Sequence, residues 1–169
     1  GRGSTYSGQI WMSNSKVASL HPLIRVWDGA EFSHSTTSPV MLDSTDFEIG
    51  TETFYALPSI RLRSGSGAFR GGASAEKACG RSTIRSYTAS GTQLTFDSPA
   101  VVTGTMAIDS GTLSLSPTIK ASDELPVFSN LVFATGTSFD MQKNDLTVPN
   151  MTGLPTILNA GALTIGKTL

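Results

Sequence analysis

Five arginines, Arg61, Arg63, Arg70, Arg81 and Arg85, fall within 25 residues, and Glu76 is the one carboxylate among them. Guanidinium groups grip carboxylate and sulfate groups through paired N–H donors. Arg61 and Arg63 are two apart, so in a strand they project from one face. With Arg85 on the neighbouring strand they would form a basic row suited to an anionic glycan. The competing reading is a solvated outer face whose charges keep a sheet from aggregating. Trp27 alternates with Arg25 and faces outward if Ile24 and Val26 face in. There it would either stack on a sugar ring or cap the end of the domain. Trp11, Tyr55 and Tyr87 are further stacking candidates.

Other reactive residues are sparse. The carboxylate pairs are Asp43 with Asp46, Glu48 with Glu52, Asp123 with Glu124, and Asp140 with Asp145. Glycoside hydrolysis needs two carboxylates about 5–10 Å apart across a cleft. Asp123 and Glu124 are sequence neighbours that would point apart. The Asn-x-Asp, Asp-Asp, Gly-His-Gly and Arg-x-Lys phrases of pectin-cleaving hydrolases are missing. His21, His34 and Cys79 lack metal-ligand spacing, so neither a metal nor another cofactor is expected. Ser64-Gly65-Ser66-Gly67 satisfies part of a nucleophile elbow but sits in what reads as flexible punctuation. The chain is expected not to be an enzyme.

Composition narrows the classes further. The chain has 169 residues, a net charge of −1, 15% charged and 38% hydrophobic residues. That length suits one domain with a sizeable core. Ser and Thr make up roughly a quarter of it, well above globular habit. A near-neutral, hydroxyl-rich chain is a poor partner for nucleic acid, which requires a positive field. No apolar run approaches the ~20 residues of a membrane-spanning helix, so no membrane insertion is expected. Cys79 has no cysteine to pair with inside the chain.

The elements that must position these residues are short strands. One phrase recurs: Gly-Thr, an alternating strand, then Asp, Ser or Asn. Its copies begin at Gly91, Gly104, Gly111, Gly136, Asn144 and Gly161. Earlier strands are expected at 7–12, 23–27 and 30–34. Phe47 and Ile49 then share one strand face, as do Ile60 and Leu62. Ala73–Cys79 has helix propensity for one turn. Leu94, Met106, Leu113, Leu131, Phe139, Leu146, Ile157 and Leu163 read as apolar anchors, and Leu113, Phe139, Leu146, Leu163 and Ile108 are expected to be buried. Three successive strands cover about 20–26 residues, the scale of one solenoid coil. Asp123–Pro126 reads as a loop bulging from a coil. Neighbouring parallel strands need a long crossover, and a solenoid supplies it with its own other sides. An antiparallel β-sandwich also fits regular strand spacing, but has no reason to repeat a phrase.

The stretch Gly136-Thr137-Ser138-Phe139-Asp140-Met141-Gln142-Lys143-Asn144-Asp145-Leu146-Thr147-Val148, followed by Ile157-Leu158-Asn159 and Gly161-Ala162-Leu163-Thr164-Ile165, resembles the autotransporter-associated β-strand repeat of bacterial surface proteins. The resemblance is good over about thirty residues and looser back to Gly91. Pro149 and Pro155 depart from it, and residues 1–85 show none of it. It implies a right-handed parallel β-helix in a secreted or cell-surface passenger region, without catalytic residues.

The sequence therefore predicts an all-β parallel β-helix over residues 1–169, a piece of a longer chain, less regular over 1–85 and repeat-like over 86–169. Its expected role is a structural or adhesive module outside the cell. The alternatives are a carbohydrate-binding β-sandwich and a fragment of a polysaccharide-degrading enzyme. The expected partners are further copies of itself, through unpaired coil ends, or a surface or matrix glycan held by Arg61, Arg63, Arg85 and Trp27.

Overall fold

Strand after strand alternates an apolar side chain with a polar one, which gives each strand one face for a core and one for water. The computed structural model describes residues 11–12, 23–26, 31–32, 39–49, 53–54, 59–71, 82–96, 100–119 and 125–166. Within them the strands stack into two long sheets.

The first sheet runs β1 (Trp11–Met12), β4 (Val40–Asp43), β7 (Ser59–Ser64), β10 (Ser86–Ala89), β12 (Ala100–Ile108), β14 (Val127–Phe133) and β17 (Met151–Thr152), with β9 (Ser82–Ile84) also paired to β12. The second runs β2 (Leu23–Val26), β5 (Asp46–Ile49), β8 (Ser66–Gly71), β11 (Gln93–Phe96), β13 (Thr112–Leu115), β15 (Ser138–Asp140) and β18 (Thr156–Leu158). Two short pairs lie outside these sheets: β3 (Glu31–Phe32) with β6 (Thr53–Phe54), and β16 (Leu146–Val148) with β19 (Leu163–Ile165).

Every one of these pairings is parallel, and the chain visits the two sheets in alternation. That is a parallel β-helix, and it sets aside the antiparallel sandwich. Register partners in successive coils range from 17 positions apart (Leu146 and Leu163) to 30 (Trp11 and Met41). The sheets contain strands from both the irregular and the repeat-like halves of the sequence.

The core consists of stacked rows. One row in the first sheet reads Ile60, Tyr87, Met106, Leu131. In the second sheet Phe47, Phe69, Phe96 and Leu115 stand one above the next. All eight are essentially inaccessible to water. Phe47 and Phe69 stack at 6.1 Å, and Phe128 meets Phe96 edge-on at 5.1 Å. Burial of this apolar surface, at about 25 cal/mol per Å², is the main stabilising term. Leu113, Phe139, Leu146 and Ile108 are buried as expected, while Leu163, on the last described coil, is half-buried.

The copies of the Gly-Thr phrase at Gly91, Gly111 and Gly136 are corners between the two sheets. Gly111 and Gly136 turn the chain with φ of 77° and 82°. Thr112 N–H donates to Thr92 O at 3.0 Å, and Thr156 N–H to Thr137 O at 2.9 Å, so corners also stack coil on coil. Two expectations are corrected here. Ser64-Gly65-Ser66-Gly67 is no flexible run: Gly65 alone forms the corner between β7 and β8, and Ser66 and Gly67 already belong to β8. Gly104-Thr105 is no corner: it lies inside β12, at a register shift between Val102 and Thr105. There Gly104 N–H donates to Arg85 O at 2.8 Å, and a Cβ on Gly104 would sit 2.7 Å from that oxygen. The helical turn expected at 73–79 and the loop residues Asp123 and Glu124 lie outside the described residues.

Candidate functional site

The alternation in β7 places Ile60 and Leu62 in the core and Arg61 and Arg63 on the outer face. Neither arginine stands alone. Arg63 donates to Asp43 through Nε, 3.3 Å from Oδ1, and through Nη2, 3.1 Å from Oδ2. Ser64 Oγ donates to the same carboxylate at 2.7 Å. Asp43 belongs to β4, one coil away, and its side chain is only 9% exposed against 44% for Arg63. The pairing is thus a two-pronged clamp between neighbouring coils with its anionic half withdrawn from water.

Arg61 makes a looser contact. Its Nη2 lies 3.7 Å from Asp109 Oδ2, and both side chains are about half exposed. Asp109 follows β12, so the contact reaches past β10 to the second strand over. Ser90 Oγ, from the intervening coil, donates to Asp109 at 3.1 Å.

Arg85 does not complete a row with them. Ser86 is level with Ser59 and Thr88 with Arg61, so Arg85 sits three positions along the strand direction from Arg61. At about 3.3 Å per residue that is roughly 10 Å. Arg85 is exposed at the bend between β9 and β10, and among the described residues it has no ion pair. Arg70 is in β8, in register with Glu48 of β5. Trp27, Tyr55 and Arg81 lie outside the described residues, as do His21, His34 and Cys79.

Tyr87 is no sugar platform. Its position in β10 puts it in the inner row between Ile60 and Met106, where it is fully buried. Its hydroxyl has no hydrogen-bond partner among the described groups. Burial, with a smaller contribution from the Asp46 carboxylate, pushes its ionisation far above the usual tyrosine range.

Three of the carboxylates weighed for catalysis, Asp46, Asp140 and Asp145, accept backbone N–H bonds. Asp46 Oδ1 accepts from Ala68 N–H at 2.7 Å. Asp140 accepts from the Gln142 backbone and side-chain amides at 3.2 and 2.7 Å, and from Asn159 Nδ2 at 2.9 Å. Gln142, Lys143 and Asn159 have positive φ, so Asp140 pins two stacked left-handed turns together. Asp145 Oδ1 accepts from Ala162 N–H of the next coil at 2.7 Å. These bonds satisfy turn amides that would otherwise lack partners. Among the described residues no three His, Cys, Asp or Glu side chains gather into a metal-binding group.

No family model, curated protein or solved structure matches the chain. The stacked parallel sheets establish a β-solenoid, and the likeness of residues 136–165 to the autotransporter-associated repeat has no family match behind it. Sequence reasoning missed the carboxylate partners of the arginines, Asp43 and Asp109. The available signal was the position of each at the end of a strand of the same sheet.

Proposed function

We propose that this chain is a structural β-solenoid module of a secreted or cell-surface bacterial protein, a stalk segment in the manner that the autotransporter-like repeat implies. The observation that carries this reading is how its polar groups are used. Asp43, Asp46, Asp140 and Asp145 each bond to the neighbouring coil or the local turn, and Arg61 and Arg63 are tied to carboxylates. The polar chemistry supports stacking, as a module whose task is to be a stable rod requires. One outer row of the second sheet, formed by Ser66, Gln93, Thr112, Ser138 and Thr156, is polar and uncharged.

The test is a panel of acidic and neutral polysaccharides with two readouts, turnover and retention. The expected result is no turnover and no sugar-specific retention. Turnover that disappears on Asp140→Ala would replace the structural reading with an enzymatic one.

A second, adhesive reading is favoured by Arg85, exposed and without an ion pair among the described residues. It would give weak, salt-sensitive contact with an anionic surface glycan.

A further inference from the structure

We draw no further inference here: the strongest candidate, the outer face of the first sheet around Arg85 with Ser59 and Ser86 level on neighbouring strands, carries nothing beyond the adhesive reading already given, because an exposed arginine beside surface hydroxyls is not a built site and nothing in the structure shows what lies on it.

Discussion

The Arg63 guanidinium closes on the Asp43 carboxylate at 3.1 Å, joining two coils at a point where the residues are 20 apart in sequence. Asp43 is nearly buried, while Arg63 is not. Removing one partner of a hydrogen-bonded pair costs most when the group left behind is out of water. Arg63→Ala should therefore destabilise the fold by about 1–3 kcal/mol. Arg61→Ala, at an exposed 3.7 Å contact, should cost less than about 1 kcal/mol. Urea denaturation of both variants checks this, and equal losses would show that Asp43 does not depend on Arg63.

Leu146 is 4% exposed and stands in register with half-buried Leu163. Leu146→Ala should cost about 2–5 kcal/mol, and Leu163→Ala distinctly less. Thermal melts compare them. An unchanged Leu146→Ala melt would mean that the register of β16 is wrong.

Tyr87 buries a hydroxyl that has no hydrogen-bond partner among the described residues. Tyr87→Phe removes that group and keeps the ring contacts with Phe69 and Phe96, so stability should be unchanged or rise by about 1 kcal/mol. The pH dependence has a definite sign. The folded-state ionisation is raised above that of a solvated tyrosine, so the unfolded chain loses its proton first. The protonated phenol's contribution is complete below the usual tyrosine range and is lost as pH rises through and beyond it. The difference in melting temperature between wild type and Tyr87→Phe should widen in strong alkali. A difference independent of pH would place the hydroxyl in contact with water.

Two corner glycines separate backbone strain from crowding. At Gly111 a Cβ would lie 2.3 Å from Thr92 O and 2.4 Å from Gly91 O, whereas at Gly136 nothing stands within 4 Å. Both have positive φ. Gly136→Ala should cost about 1 kcal/mol of strain, and Gly111→Ala several times that as the stacked corner is forced apart. Similar costs by chemical denaturation would show that the corners are not in contact.

Heparin retention tests the arginines as a glycan grip. With Asp43 and Asp109 beside them, Arg61→Ser and Arg63→Ser should barely move the elution salt. Arg85→Ser should have the larger effect, and only at low salt. A large shift from Arg61→Ser alone would show that Asp109 does not neutralise it.

The sequence by itself determined which side chains face in. Strict alternation left Ile60 and Leu62 inside and Arg61 and Arg63 outside whatever the strands paired with, because successive Cβ atoms point to opposite faces. The recurring Gly-Thr phrase marked the unit that stacks, and copies such as Gly111 and Gly136 became corners. In β10 the same alternation, with Ser86 and Thr88 flanking Tyr87, was the available signal against the stacking role expected of that ring. Only the tertiary structure decided which coil lies on which and at what level. Coils differ in length, so a fixed sequence offset does not correspond to one rung. That is why Arg85 stands three positions out of line with Arg61, and why Asp109, two strands away, reaches it. Gly104 repeats the corner phrase yet sits at a register shift inside β12, where the carbonyl of Arg85, at the bend between β9 and β10, accepts its N–H. Local pattern sets the face of a strand; the neighbour across each rung is set by how the intervening loops close.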